Sequence, residues 1–132
     1  MYNEKVVDYF MNPRNSGKMT DANAIGEAGN AVCGDTIKIY LKVSDEHIIE
    51  DIRFETFGCA AAIATSSMIT EMVKGKSLSE ALKIKDMDVV KELNGLPPAK
   101  EHCSLLAQEG IKEAVLDYFR RRGEQIPKGL FS

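Results

Sequence analysis

The sequence pairs a histidine with a cysteine in LPPAKEHCSLLA, residues 96–107, although it contains only three cysteines and two histidines. Two prolines precede the pair and an amphipathic pattern follows it, which predicts that His102 and Cys103 lie where a helix begins. Neighbouring residues of an α-helix point about 100° apart, so the two side chains would not pack on each other. Both can reach one point beyond the helix end. This geometry suits a ligand-binding or reactive site better than a core.

The other two cysteines are also predicted at the edges of regular elements. Cys33 lies in the glycine-flanked loop GNAVCGD before a strand, and Cys59 lies in FGCAAA, where a strand passes into a helix. Structural cysteines are usually buried inside cores, so three edge positions favour a chemical role over three small core residues. Cys59 and Cys103 are predicted at helix N-termini, where unpaired N–H groups and the helix dipole stabilise a thiolate.

An aspartate and the histidines extend this set of candidate ligands. Asp35 follows Cys33 by two positions, so both can face one side of an extended chain. His47 falls in a predicted hairpin turn and is interpreted as a surface residue. The chain lacks the CxxC pairs of zinc fingers and ferredoxins, which predicts an accessible and exchangeable site. Zinc and an iron–sulfur cluster are both compatible with the candidate ligands, which are Cys33, Asp35, Cys59, His102 and Cys103.

A different chemistry for the adjacent pair is nucleophilic catalysis, with Cys103 attacking and His102 acting as base. Neighbouring helical positions are poorly placed for the hydrogen bond that such a pair needs. No substrate pocket is indicated by the sequence either. This alternative is therefore the least favoured.

The hydrophobic pattern predicts the elements that carry these residues. A short helix over residues 3–12, with Val6, Val7 and Phe10 on one side, ends before Pro13. AIGEAGN is a candidate edge strand, and two alternating segments predict an antiparallel hairpin. The first buries Ile37, Ile39, Leu41 and Val43, and the second buries Ile48, Ile52 and Phe54.

Helices are predicted for most of the remaining chain. A helix of small residues follows Gly58 and ends at Gly75, LSEAL and MDVVKEL form short helices, and the longest helix runs from about Lys100 to Arg122. Strands followed by helices predict an α+β fold, with a small antiparallel three-stranded sheet and helices packed on one face. We expect a single domain over residues 1–132. The apolar stripe of the longest helix comprises Leu106, Ala107, Ile111, Ala114, Val115 and Tyr118.

Composition and charge narrow the classes of function. The net charge of −3 and a pI near 5.4 argue against nucleic acid as the main partner, and Arg120–Arg122 complement a helix C-terminus. Neither a signal peptide nor a segment of transmembrane length is found, so we expect no membrane partner and a cytoplasmic location. An odd number of cysteines in such a reducing compartment favours thiol or metal chemistry over disulfides.

The chain resembles a known family from end to end. GNAVCGDTIKIYLKV, ETFGCAAAIATSS and LPPAKEHCSLLAQEGIKEA resemble the three signature blocks of IscU/NifU-type iron–sulfur cluster scaffold proteins, and YNEKVVDYFMNPRN resembles their opening helix. The resemblance implies a 2Fe-2S cluster or iron, or zinc, bound by Cys33, Cys59 and Cys103, with Asp35 or His102 as fourth ligand. It further implies that Asp35 tunes cluster lability and that Cys103 accepts persulfide sulfur.

The same resemblance implies partners. These are a cysteine desulfurase of the IscS/NifS type and recipient apoproteins. Tyr2 matches a tyrosine implicated in persulfide reduction and dimer contact. The LPPAK segment is similar to the LPPVK element that binds a DnaK-type chaperone, although Ala99 replaces the valine. Ala60 also departs from the family pattern, where many members have glycine. LPPAK comprises Leu96, Pro97, Pro98, Ala99 and Lys100.

The sequence therefore predicts a scaffold and sulfur acceptor, not a turnover enzyme, that assembles a 2Fe-2S cluster and transfers it to apoproteins. The alternative is a zinc-binding sulfurtransferase or sulfur-relay protein of the SufU type. That branch carries an insertion before the third cysteine and lacks the preceding histidine, whereas this chain has His102 directly before Cys103. Whether the resting site holds zinc, a cluster or nothing stays open, as does the choice between a monomer and a cluster-bridged dimer.

Overall fold

The computed structural model describes residues 2–29 and 34–131. In chain order, the described residues form one helix, then three strands, then the remaining helices. Their bounds are α1 Glu4–Met11, β1 Ala24–Gly29, β2 Thr36–Val43, β3 Ile49–Phe57, α2 Ala60–Val73, α3 Leu78–Leu82, α4 Asp86–Glu92, a 3-10 helix Pro98–Cys103, and α5 Ser104–Arg122.

The three strands form one antiparallel sheet in the order β1-β2-β3. Its inner face carries the predicted β2 residues Ile37, Ile39, Leu41 and Val43, all buried. Helix α5 packs against β1 and β2, and α2 packs against β3 and α5. The predicted α+β fold with helices on one face of a three-stranded sheet is confirmed.

The β2–β3 hairpin departs from the predicted alternation at one end. Ile52 and Phe54 are buried as predicted, but Ile49 is fully buried and Ile48 is only partly so. A register shift between Lys42 and Val43 pairs Val43 with Ile49 and inserts an extra residue into β3. Because side chains alternate with a period of two, one inserted residue exchanges the inward and outward faces beyond it. The prediction for Ile48 was wrong for this reason.

The turn of the same hairpin places His47 against the helical layer. Its backbone has a φ of 64°, and its ring makes edge contacts with Tyr118 at 5.6 Å and Phe119 at 5.3 Å between centroids. His47 is therefore half-buried and packed on α5, which corrects its interpretation as a surface residue. Asparagine, aspartate and histidine are the side chains enriched at positive φ, which explains why a histidine is tolerated here.

Two glycines allow α5 to lie unusually close to the sheet. A Cβ atom on Gly26 would lie 2.1 Å from the backbone nitrogen of Ala114, and a Cβ atom on Gly110 would lie 2.9 Å from Cγ1 of Ile39. The predicted α5 stripe, from Leu106 to Tyr118, is buried in this interface.

Helix α1 and the loop after it pack on α2, which is buried along most of its length. Val6 is buried and Phe10 partly so, but Val7 is 45% exposed, so the predicted apolar side of α1 was too wide. Two hydroxyl groups of α2 accept hydrogen bonds from this loop. The Arg14 backbone N–H donates to Ser67 Oγ at 2.6 Å, and Asn15 Nδ2 donates to Thr70 Oγ1 at 3.0 Å.

The longest predicted helix is divided in two. Residues 98–103 form a 3-10 helix and only then does α5 begin, at Ser104. The helix end is as predicted, with Gly123 at a φ of 65° after Arg122. Within the described residues, no helix combines the length and the apolar character needed to cross a bilayer.

Candidate functional site

Three of the five predicted ligands meet at one end of the sheet. Asp35 lies directly before β2, Cys59 is the N-cap residue of α2, and Cys103 is the last residue of the 3-10 helix. One ligand atom from each lies within 4.8 Å of the other two. Three elements far apart in sequence thus bring two thiols and a carboxylate together. Cys33 lies outside the described residues.

The spacing of these atoms fits one tetrahedral metal ion. The Sγ atoms of Cys59 and Cys103 are 3.6 Å apart, and Cys59 Sγ is 3.8 Å from Asp35 Oδ2. Two sulfurs bound tetrahedrally at about 2.3 Å from one metal would be separated by ~3.8 Å. A disulfide would need about 2.05 Å, so the two cysteines are not bonded to each other. The arrangement is that of a chelating set.

Burial differs among the three side chains. Asp35 is 7% exposed and Cys103 is 2% exposed, whereas Cys59 is only partly buried. Placing a carboxylate beside two thiols away from water is costly, and a bound cation offsets that cost. Cys59 is thus the most solvent-exposed of the three side chains.

Gly58 makes the approach of Asp35 to Cys59 possible. A Cβ atom at this position would lie 2.9 Å from Asp35 Cγ and 2.9 Å from Ala62 Cβ. Contacts this short essentially do not occur, so any side chain here would displace the carboxylate or the first turn of α2. The space that this glycine leaves is occupied by a protein carboxylate.

His102 lies beside this set without completing it. Its Nε2 atom is 3.7 Å from Cys103 Sγ, so the imidazole reaches the sulfur of its neighbour in the 3-10 helix. Among the described residues, the group of donors that all lie within 4.8 Å of one another comprises Asp35, Cys59 and Cys103 only. His102 therefore contacts Cys103 but does not belong to this group of three donors.

The two cysteines have different helix environments. Cys103 does not lie in the first turn of α5 but directly before it, in a continuous helical path. The Ser104 N–H already donates to the carbonyls of Glu101 and His102, so it is not open to an anion at Cys103. Cys59 does stand at a helix N-terminus, as the N-cap of α2. Cys103 is likewise the N-cap residue of α5, although its backbone is already helical and continues from the 3-10 helix. Both cysteines therefore stand at helix N-termini as predicted, in different backbone conformations.

A residue absent from the sequence-based set connects the two cysteine-bearing elements. Thr65 is fully buried in α2, and its hydroxyl donates to the carbonyls of Ala62 at 3.1 Å and Cys103 at 3.4 Å. The only signal in the sequence was a hydroxyl within a helix of small residues. Hydroxyls in such helices usually bond to their own helix, so nothing pointed to Cys103.

Known proteins are similar to this chain in sequence. A family model described as the NifU-like N-terminal domain matches residues 1–125. The chain is 58% identical over 124 residues to an Archaeoglobus fulgidus protein described as iron-sulfur cluster assembly scaffold protein IscU 1, covering 94% of this chain and 80% of that protein. It is 53% identical over 124 residues to the Escherichia coli K12 protein described as iron-sulfur cluster assembly scaffold protein IscU, covering 92% and 96%. The chain belongs to the NifU-like N-terminal domain family.

Solved structures agree with this assignment. A Fervidobacterium islandicum protein, described as a putative iron-sulfur cluster assembly scaffold protein for the SUF system, superposes with a TM-score of 0.71 at 28% identity. The match covers 86% of this chain and 96% of that one. A NifU-like protein from Brucella abortus gives a TM-score of 0.71 at 21% identity over 89% and 94% of the two chains, which supports the fold alone.

Proposed function

We propose that this chain is a scaffold on which iron and sulfide are assembled into a 2Fe-2S cluster that is then transferred to apoproteins. The observation that carries the proposal is the convergence of Asp35, Cys59 and Cys103 within 4.8 Å. Relatives that are 52–58% identical are described as scaffolds of this kind. The cluster is cargo, so the ligands must both hold it and release it.

The chemical types of these ligands suit temporary binding of a cluster. Cys33, Cys59 and Cys103 supply soft thiolates for iron, and Asp35 supplies a harder oxygen donor that exchanges more readily. His102 is the alternative fourth ligand, because its imidazole is 3.7 Å from the Cys103 sulfur. Two competing donors beside one site favour exchange over permanent binding. The partly exposed Cys59 side is the route for entry and release.

Cys103 is the proposed acceptor of sulfur from a cysteine desulfurase. The Cys103 thiolate attacks the outer sulfur of the donor persulfide, a new S–S bond forms on Cys103, and the donor leaves as a thiolate. This transfer involves no net oxidation. Two further electrons, from an external thiol or electron carrier, release the sulfur as sulfide. Because Cys103 is 2% exposed, its surroundings must rearrange before the donor can reach its sulfur.

Further partners act on the same part of the molecule. The segment Leu96–Lys100 is proposed to bind a DnaK-type chaperone, since Pro98 and Ala99 are exposed at the start of the 3-10 helix. Leu96 is buried, so recognition of the whole segment would require it to leave the core. We place this activity in the cytoplasm, where thiols stay reduced. Cluster-bridged dimers and monomers are both compatible with a site open on one side.

The second candidate is a zinc-binding sulfur-relay protein that uses the same residues. The specific observation in its favour is that the Asp–Cys–Cys spacing also fits a single zinc ion. In that case Cys103 would still accept sulfur, but no cluster would form.

Anaerobic reconstitution tests the two functions. The metal-free chain is incubated with ferrous iron, cysteine, a cysteine desulfurase and dithiothreitol as reductant, and iron, acid-labile sulfide and visible absorption are measured. A scaffold yields two irons and two sulfides per cluster and converts an apo-ferredoxin to its holo form. No bound iron and no labile sulfide, together with tight binding of zinc added to a parallel metal-free sample, would support the sulfur-relay function and overturn the scaffold.

Mass spectrometry of alkylated peptides at early times tests the sulfur acceptor. Persulfide should appear on Cys103 before Cys33 or Cys59, and Cys103→Ser should abolish it. His102→Ala should weaken metal retention while leaving sulfur transfer largely intact. First labelling of Cys33 or Cys59, or labelling that persists in Cys103→Ser, would exclude Cys103 as the acceptor.

A further inference from the structure

The side chain of Asn3 joins the start of α1 to the turn that follows α4. Its Oδ1 accepts from the Val6 N–H at 2.9 Å, which caps α1. Its Nδ2 donates to the carbonyls of Leu93 at 2.9 Å, Asn94 at 3.1 Å and Gly95 at 3.1 Å. One amide thus connects segments more than 90 positions apart in the chain.

Only asparagine can make both sets of bonds from this position. The cap needs an acceptor and the turn needs donors, so the orientation of the amide is fixed by its partners. Aspartate and serine are equally good N-cap residues, but an aspartate would turn a carboxylate toward three carbonyl oxygens. A serine hydroxyl would be too short to reach them. The bridge to the turn can therefore be removed while the helix cap is kept.

The turn held by Asn3 leads directly to the reactive cysteine. Asn94 and Gly95 have φ values of 62° and 101°, and their N–H groups bond back to Lys91 and Val90 of α4. The outward carbonyls of this turn are the ones that Asn3 binds. Leu96 and Pro97 follow at once, and then the 3-10 helix that ends at Cys103. Two consecutive residues in left-handed conformation are easily lost unless the surroundings hold them.

We propose that Asn3 is a positioning residue that fixes the 93–95 turn and thereby holds the 3-10 helix, with Cys103 at its end, in its packed position. Release of this contact frees the segment 93–103 and exposes the Cys103 thiol more than the thiol of Cys59, which is already partly exposed. The proposal rests on the proposed function for the role of Cys103 as sulfur acceptor. Its direct consequence, which is control of thiol accessibility, is measurable without a desulfurase or a cluster.

The test compares Asn3→Asp and Asn3→Ser with the unsubstituted protein, all metal-free and reduced. Alkylation by iodoacetamide is followed by mass spectrometry, with Cys59 as the internal reference in each molecule. We expect Cys103 to react at least about fivefold faster in both variants, and the rate for Cys59, which is already partly exposed, to change much less. Amide exchange over residues 93–103 should rise in parallel. Ser77→Ala, which removes the comparable N-cap of α3, is the control and should leave the Cys103 rate unchanged.

Each result decides the proposal. Unchanged Cys103 reactivity overturns it, and so does an equal rise for both cysteines, which would mean general loosening. Asn3→Asp separates positioning from helix stability, because a carboxylate at the N-terminus of α1 favours the helix while breaking the bridge. A faster Cys103 in variants that accept no persulfide would uphold the positioning role and overturn the proposed role of Cys103 as sulfur acceptor.

Discussion

Asp35 is the harder of the described donors, and its carboxylate reaches Cys59 because Gly58 leaves room for it. An oxygen donor among thiolates binds iron less durably than a fourth sulfur would. At the scale of single residues, the site therefore combines strong and weak donors in one place. Two substitutions separate these contributions.

Replacing Asp35 by alanine should slow cluster release. The variant loses its exchangeable donor and the surroundings become less polar, so the reconstituted cluster should persist longer and transfer more slowly to an apo-ferredoxin. The decay of visible absorption under air and the rate of ferredoxin maturation measure the two effects. Glu46→Ala, at an exposed carboxylate of the hairpin turn, is the control. A cluster lost faster from Asp35→Ala than from this control would exclude the role.

Gly58→Ala should weaken metal binding through Asp35. The added methyl group would lie 2.9 Å from both Asp35 Cγ and Ala62 Cβ, so the carboxylate must move away from Cys59. Displacing a group that supports a metal site typically lowers affinity by about 10–100-fold. Competition with a chromogenic zinc chelator gives the affinity. Gly29→Ala is the matched control, because its Cβ would meet neighbours only at 3.7 Å. Equal affinities for the two variants would contradict the steric argument.

At the scale of elements, the position of the sheet against α5 depends on glycine at the contact. Gly26→Ala would place a carbon 2.1 Å from the Ala114 nitrogen and 2.4 Å from the Gly110 carbonyl oxygen, both of them backbone atoms that cannot rotate away. Overpacking of this kind typically costs about 1–3 kcal/mol, and we expect the upper end here. Urea denaturation measures the loss. Gly110→Ala should cost less, since its Cβ would meet isoleucine side-chain atoms at 2.9 and 3.1 Å instead of backbone atoms at 2.1 and 2.4 Å, and alanine favours a helix.

Helix and strand identities followed from periodicity, because burial on one face leaves a regular pattern in the sequence. The departures lie where an irregular feature interrupts a regular one. Because one residue is inserted in β3, Ile49 is buried where Ile48 was predicted. Because residues 98–103 form a 3-10 helix, Cys103 lies before α5 and not within it. Neither a bulge nor a change of helix type alters which residues are apolar, so the periodicity of apolar residues does not reveal these two features.

The site was predictable in part for a similar reason. Cysteines at the edges of elements, with Asp35 and His102 nearby, marked the region before any geometry was known. Thr65 and Asn3 were not found, because their partners are backbone carbonyls distant in the chain. A carbonyl is present at every position, so sequence contains no signal for such a bond. Their roles are visible only once the fold brings the segments together.

At the scale of the whole molecule, the free energy of unfolding depends on pH in the alkaline range, because Tyr40 on the outer face of the sheet has a raised pKa. Glu55 accepts a hydrogen bond from the Tyr40 hydroxyl at 2.6 Å, which raises the pKa of Tyr40 from 10.0 to about 12. Between about pH 10 and 12 the unfolded chain therefore holds fewer protons than the native one, and the free energy of unfolding falls as pH rises. The contribution is fully present below pH 10.

Tyr40→Phe should reduce this dependence. The variant lacks the titrating hydroxyl, so its free energy of unfolding should fall less steeply across pH 10–12 than that of the unsubstituted protein. Burial also raises the pKa of Tyr9 and Tyr118, so part of the slope should remain. Urea midpoints at half-unit pH intervals supply the measurement. Identical slopes for the two proteins would show that Tyr40 keeps no raised pKa.

The wide separation of the ligands in the chain has a consequence for biosynthesis. Cys59 and Cys103 are 44 positions apart, so at about 5–20 residues per second the ribosome adds the second thiol ~2–9 s after the first. During that interval the nascent chain offers Asp35 and Cys59 without the element that closes the site. The group formed by Asp35, Cys59 and Cys103 is incomplete until then. On the proposed function, the full set of donors becomes available only after the segment that carries Cys103 has been added and packed.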